Sequence, residues 1–433
     1  MKLGSLAIDA TPLKRNRDFR CLFLGRLVSI VGSSITTVAV AYQVYVLSRS
    51  SLQVGAVTLV GGVAAVVGML YGGVLADRLN RRGMLLVTQF PLAMCSAGMD
   101  LNAMTHHPAV WPLYLLVGIQ DLLFGIGAPA RIAMVPAMVG PELYPAAAGL
   151  SSLVNTLAGL LGPAVGGLLI SHASLPAAYW SDTGAFFVYA AGIAALSPQE
   201  QPAAAAAAEK RSVLRSLGDG LKYTRRNPVI GSILLIDMSA TFFGMPKALF
   251  PALGIGVFHG GATAVGLLYA APGAGAVIGA VSSGWTSRVR RPGVVVLLSV
   301  CAWGIAITVF GFARALPFAL VMLAAAGLAD VFSEILRSTL LQLLTPDELR
   351  GRISGLWLAQ ANSGPALGNA EAGAVAAALG NQFSIVSGGI LCIVGALLVV
   401  WRIPQFLRVT MPTSQPGQEP QADAEPQSQP AAA

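Results

Sequence analysis

Apolar residues in this chain neither alternate nor hold to one helical stripe; they run on in unbroken blocks of about 20, the length that crosses a bilayer as a helix. Twelve blocks recur, at roughly 20–47, 53–76, 84–105, 109–135, 146–171, 176–196, 229–257, 262–286, 293–313, 316–341, 353–379 and 383–403. The pattern predicts an all-α integral membrane protein with twelve transmembrane helices. Only one connection is long, Ser197 to Asn227. It opens with Pro198, Pro202 and the alanine run Ala203–Ala208, then places Val213, Leu214, Leu217 and Leu221 at helical spacing beside basic residues. That spacing predicts an amphipathic helix lying on the membrane surface. After Pro412 the tail has too few apolar residues to form a core and is expected to be disordered. The expected units are a six-helix bundle over 1–196, a cytoplasmic loop over 197–228, a second six-helix bundle over 229–404 and a tail over 405–433.

Composition agrees: 55% of the 433 residues are hydrophobic, only 11% are charged, and the mean hydropathy is +0.70, whereas a soluble domain carries about a quarter charged residues. A net charge of +8 would suit nucleic acid if it formed a patch. Instead the basic residues gather at alternate connections, Lys14 to Arg20, Arg78 to Arg82, Lys210 to Arg226, Arg288 to Arg291, Arg350 to Arg352 and Arg402 to Arg408. The positive-inside rule then places both termini in the cytoplasm, and the charge reflects topology, with no nucleic-acid partner implied. The first apolar block is longer than a signal-peptide core and is expected to stay as the first helix.

Cys21, Cys95, Cys301 and Cys392 stand alone in apolar runs, so neither a disulfide framework nor a thiolate metal site is expected. His106 and His107 adjoin in a predicted outside loop with no third ligand near them, and no metal or cofactor is expected. No GxxxxGK[ST] loop occurs, so the chain is not expected to hydrolyse ATP, nor to be an enzyme. Glycines four apart, Gly68/Gly72, Gly162/Gly166, Gly275/Gly279 and Gly364/Gly368, predict close helix packing.

The two halves carry a faint internal repeat. Aligned without a gap, the stretch from Ala130 and the stretch from Leu336 bring Arg131 onto Arg337, Glu142 onto Glu348, Gly149 onto Gly355 and Gly162 onto Gly368. A second alignment brings "RNRDFRCLFLGR" onto "RNPVIGSILLID", so that Arg26 falls on Asp237. Such duplication is common in secondary transporters.

What remains is a set of ionisable groups inside the helices, where charge is costly and usually faces a water-filled path. At about 1.5 Å of rise per residue, Arg26 in the first helix and Asp237 in the seventh lie about 10 and 12 Å from the inside. Asp121 in the fourth and Asp330 in the tenth lie about 18 and 21 Å from the outside, close to the same level of a core about 30 Å thick. Glu334 and Arg337 follow Asp330 at i+4 and i+7 and share its face. Two readings that do not exclude each other follow. These groups form structural ion pairs, such as Arg26 with Asp121, or they line a central cavity, bind a polar substrate and change protonation. Arg131, about 15 Å beyond Asp121 along the helix, is expected to support the cytoplasmic end, with Arg337 and Arg352. Tyr42, Tyr45, Phe124 and Trp357 are aromatic residues that could touch a ligand or merely pack.

"GGVLADRLNRRG" (Gly72–Gly83) resembles the loop between helices two and three of the major facilitator superfamily. The resemblance implies that fold, two six-helix pseudo-repeats, and a gating role for Gly73, Asp77, Arg78, Arg81 and Arg82, the acid lying near the start of helix eleven, about Gly351–Ser354. The carboxyl-half counterpart "GAVSSGWTSRVRRPG" keeps the arginines and lacks the acid. "FLGRLVSIVG", "LLYAAPGAGAVIGAVSSG", "RPGVVVLLS" and "TPDELRGRISGLWLAQ" further resemble the siderophore-exporter branch. That resemblance implies an acid at Asp121 and an arginine at Arg26; it supplies no counterpart for Asp237, Asp330 or Glu334. The expected function is secondary export of a siderophore-like small molecule across the inner membrane, coupled to protons. A macrolide-type drug efflux pump and a non-transporting sensor or scaffold are the alternatives. The expected partners are the small-molecule substrate, protons and the lipid bilayer.

Overall fold

The computed structural model describes residues 9–197 and 213–410, and every described regular element is a helix. The tail expected over 405–433 begins ordered, as the short helix Gln405–Arg408 with Phe406 buried against Gly293 of the ninth span; its remainder beyond 410 and the proline- and alanine-rich part of the central loop lie outside the described residues. The first three spans are Arg17–Ser48, Ser51–Arg78 and Arg81–Met104. The fourth and fifth form one continuous run, Trp111–His172, divided at Gly140, whose φ of 73° is non-helical. Glycine tolerates that conformation, and Pro141 after it disfavours the α region. The fourth span is thus 111–139 and the fifth 141–172. Leu175–Ala194 is the sixth.

The carboxyl half follows with Pro228–Phe243 and Phe250–Gly256 together as the seventh span, Gly261–Ser282, Pro292–Phe310, Leu316–Leu344, Asp347–Leu379 and Asn381–Arg402. Nine described helices are long and apolar enough to cross a membrane, counting Trp111–His172 once. Leu175–Ala194 and Asp347–Leu379 are not among them; they carry polar residues such as Asp182, Asn362 and Glu371.

One span differs from expectation. The seventh is not continuous over 229–257: it unwinds after Phe243 and resumes through a 3₁₀ turn at Lys247–Leu249. Pro246 has no N–H to give and pushes Met245 out of the α region. Irregular backbone at this depth survives only where protein covers it. Here Trp303 Nε1 donates to the Gly244 carbonyl (2.8 Å), Tyr269 Oη to that of Lys247 (3.0 Å), and the Ala248 amide donates to Asn369 Oδ1 (2.9 Å).

Glycines set the packing within and between halves. A Cβ on Gly68 or Gly72 of the second span would collide with the fourth span's backbone at Leu122 and Ile126; one on Gly275 would collide with Ala324 of the tenth. Among the described residues, the glycine contacts between the halves lie from the middle of the bundle towards one end. Gly55 and Gly62 abut Asn369 and Ala366 of the eleventh span, and Gly167 abuts Gly266 of the eighth. At the other end, which carries the clustered arginines, Gly73, Gly149, Gly351 and Gly355 have no described neighbour within reach of a Cβ. The bundle is closed opposite the basic end and open towards it.

The amphipathic segment forms the helix Val213–Arg226 at the basic end. It leans on the start of the eleventh span, Gly220 against the Arg352 backbone and Asp219 Oδ2 3.3 Å from Arg352 Nη1.

Candidate functional site

Two cavities sit one above the other in the amino half, with Ile30 and Phe124 in the wall of both. The one nearer the closed end holds about 370 Å³ and is lined mainly by the first, second and fourth spans. Its walls mix aliphatic residues, chiefly valines, with a band of hydroxyls (Ser33, Ser34, Thr36, Thr37 and Thr58) and with Gln120, Asp121 and Tyr269. Asp121 fits there because Gly61 has no side chain: a Cβ at Gly61 would take the place of its carboxylate. Asp121 makes no hydrogen bond or ion pair with any described residue.

The other cavity, about 530 Å³, opens towards the basic end and is lined by Arg26, Arg131, Tyr189, Ser29, Ser151 and Asn155 among others. The expected pairing of Arg26 with Asp121 is therefore absent: the two line different cavities, separated at the level of Phe124. Equal depth along the membrane normal does not fix the direction in which a side chain points. Arg131 does not cap the end of its helix. Its guanidinium turns back seven residues, donating to the Phe124 carbonyl (2.7 Å) and lying 4.1 Å from the centre of the Phe124 ring.

In the carboxyl half the charges do converge. Arg337 Nη1 lies 2.9 Å from Asp237 Oδ1, and Nη2 lies 3.5 Å from Asp330 Oδ1. Gln360 donates to the other Asp237 oxygen (2.7 Å) and to the Leu234 carbonyl. Arg337 and Asp237 are almost wholly buried, whereas Asp330 is 32% exposed. Glu334 is exposed, within electrostatic range of Asp330.

Of the residues expected to gate, Arg82 donates to the carbonyls of Ile193 (3.2 Å) and Ala194 (2.6 Å), satisfying the exposed end of the sixth span. Arg81 reaches the Ala133 carbonyl at 3.5 Å, Arg78 is exposed, and Gly73 has open space beside it. The Asp77 side chain lies outside what is described. Among the four aromatic candidates, Phe124 lines both cavities, Tyr45 packs in the amino-half core and Trp357 against the carboxyl-half core.

Buried Asp182 and half-buried Lys247 are among the ionisable residues that escaped the sequence reading. Asp182 in the sixth span is fully buried, with Thr36 (2.8 Å), Ser96 (3.1 Å) and Gln120 (3.2 Å) donating to one oxygen while the other has no partner. Two of those donors also line the Asp121 cavity. Lys247 sits at the break in the seventh span, in electrostatic range of Asp330. Both carried the signal used for Asp121, a lone charge in an apolar run, and Lys247 also stood between Pro246 and Pro251.

Helical halves that meet towards one end, enclose cavities and bear buried charges at mid-membrane define a multi-pass membrane transporter of the major facilitator type. Comparison with known proteins agrees. The chain belongs to the family described as transmembrane secretion effectors, which matches residues 9–430. It is 34% identical over 405 residues to an enterobactin exporter from Citrobacter koseri, covering 92% of this chain and 95% of that one. A counterpart from Shigella boydii is likewise 34% identical over 406 residues, at 92% and 95% coverage. The fold is similar to the nucleoside transporter NupG, with a TM-score of 0.69 at 15% identity, covering 90% of this chain and 98% of that one. It also resembles a bacterial homologue of the lysosomal transporter Spinster in its inward-facing, unoccupied conformation, with a TM-score of 0.66 at 17% identity, covering 90% and 97%.

Proposed function

We propose that this protein exports a siderophore or siderophore-like compound across the inner membrane, in exchange for protons, by alternating access between a half over 1–196 and a half over 229–404. Both termini then face the cytoplasm, because the basic connections gather at the end that carries them. The reading of the cargo is carried by the extended similarity to proteins named as enterobactin exporters. The coupling is supported by Asp121, a carboxylate in a cavity wall of valines and hydroxyls with no cation to pair with among the described residues. An isolated charge there is expensive, so a group that gains a proton from one side and loses it to the other suits the position. Asp330, Glu334 and Asp237 belong to the same candidate set in the other half, and the Gly73–Arg82 segment is the candidate gate.

Metabolite profiling of a deletion strain grown without iron tests the cargo. A siderophore-class compound should disappear from the medium and return with the wild-type gene. An unchanged medium would overturn the export reading and favour a sensor or scaffold. Asp121→Asn should lose export driven by an imposed pH gradient; transport at the normal rate would overturn the coupling. The apolar lining of the Asp121 cavity, Val40, Val44, Val54 and Val57 among it, supports drug efflux as the second reading. Macrolide sensitivity of the deletion strain with unchanged siderophore secretion would select it.

A further inference from the structure

The repeat that relates the two halves places different chemistry at the same two positions. In the carboxyl half they hold Asp237 and Arg337, joined across 2.9 Å. In the amino half the aligned positions hold Arg26 and Arg131. The local geometry is otherwise kept: Arg337 reaches back seven residues to Asp330, and Arg131 reaches back seven residues to Phe124. The carboxyl half therefore neutralises its own arginine, and the amino half sets two cations together with no carboxylate in the cavity wall. Arg26 makes no hydrogen bond or ion pair with a described residue.

A second observation points the same way. Tyr189 lines this cavity, is 3% exposed, and its hydroxyl has no hydrogen-bond partner. A buried hydroxyl without a hydrogen-bond partner is costly, and this one lies within the fields of both arginines. The wall is also aromatic: Phe124 is already stacked with Arg131, and Tyr144 of the fifth span also lines the cavity. We infer that Arg26, Arg131 and the Tyr189 hydroxyl form a binding site for a carboxylate carried on an aromatic ring. The guanidiniums take its two oxygens, Tyr189 donates a further hydrogen bond, and Phe124 packs beside the ring. Planar guanidinium forks match that pair of oxygens. This deepens the export reading, on which it rests, by naming the part of a cargo that is held first on the basic side.

Benzoate is the probe, measured by calorimetry on the full-length protein in phosphatidylcholine nanodiscs at low and moderate salt. The wild type should bind benzoate more weakly as salt rises, and should bind the neutral isostere benzamide at least roughly tenfold more weakly than benzoate, as expected for a lost charge-assisted contact. Arg26→Gln and Arg131→Gln should each lose about tenfold, and Tyr189→Phe a few-fold, in affinity for benzoate. Arg26→Asp is the sharpest variant, because it recreates the carboxyl-half pair: it should melt no lower than wild type and bind no benzoate. Benzamide binding as tightly as benzoate, or Arg26→Asp binding benzoate as the wild type does, would overturn the site. Failure of wild-type binding alongside intact siderophore export rejects this site alone. Benzoate binding as described with an unchanged deletion-strain medium rejects the export reading alone.

Discussion

Removing Arg337 should be the most damaging single change at any of the charged positions. Its side chain is 3% exposed and stands between two carboxylates, Asp237 at 2.9 Å and Asp330 at 3.5 Å. Arg337→Met takes away a cation and leaves Asp237 buried with Gln360 as its remaining side-chain donor. Stranding one member of a buried pair costs about 3–5 kcal/mol. The lower end applies, because Nη1 approaches Asp237 without hydrogen-bond alignment and Nε has no acceptor, so some of the usual gain is already missing. Asp330, a third exposed, keeps access to water and adds little. With about 3 kcal/mol lost and about 2–4 °C per kcal/mol in a unit of this size, melting followed by scanning fluorimetry in detergent should fall by roughly 6–12 °C. Asp237→Asn should fall by less, since Arg337 retains Asp330 and Gln360 retains an oxygen to donate to. The double variant should recover most of the loss, because the one charge left without its partner, Asp330, is a third exposed and keeps access to water. If Arg337→Met melts with the wild type, or if the double variant is additive, the cluster does not behave as a coupled buried pair and the reasoning fails.

Further substitutions probe Asp182, which sequence reasoning overlooked, and Asn369, which holds the break in the seventh span. Asp182→Asn should keep the fold, the amide oxygen accepting from Thr36, Ser96 and Gln120, whereas Asp182→Leu should lower melting by the equivalent of about 1–3 kcal/mol for stranded donors; the Ser96 hydroxyl already reaches the Tyr179 carbonyl at 3.2 Å, which limits the loss. Equal melting of the two variants would show that the hydrogen bonds contribute nothing. Asn369→Leu deprives the Ala248 amide of its acceptor at the break in the seventh span and should reduce export more than Asn369→Asp does, read by siderophore secretion at matched expression.

The spans were legible because membrane thickness forces long apolar runs, and the close glycine contacts were legible because small residues four apart have few other uses in a bilayer. Partners were not. Depth arithmetic counts Cα positions, yet side chains on a helix lean towards its amino end, and an arginine is long enough to turn that lean into two full turns. Arg131 and Arg337 therefore read as end supports and in fact act at the levels of Phe124 and Asp330. The same blindness paired Arg26 with Asp121, which share a level and point into separate cavities. The break in the seventh span was signalled by Pro246, but hydropathy averages over a single proline, so a run that must unwind looks the same as one that does not.

The repeat makes the division of labour between the halves a physical question. The carboxyl half sets Arg337 against Asp237 and Asp330 in this structure, so those groups need little from outside the chain. A half that leaves two arginines facing one cavity and a carboxylate facing the other has charges that only something from outside the chain can satisfy, and a ligand shifts a conformational equilibrium only by interacting differently with its two states. The unpaired groups of the amino half are where such a difference can arise, since opening and closing change what reaches them. Arg26→Asp tests that logic: it gives the amino half the self-sufficiency of the carboxyl half. If transport depends on the charges left open, the variant should be the most stable of the arginine substitutions and an inactive one.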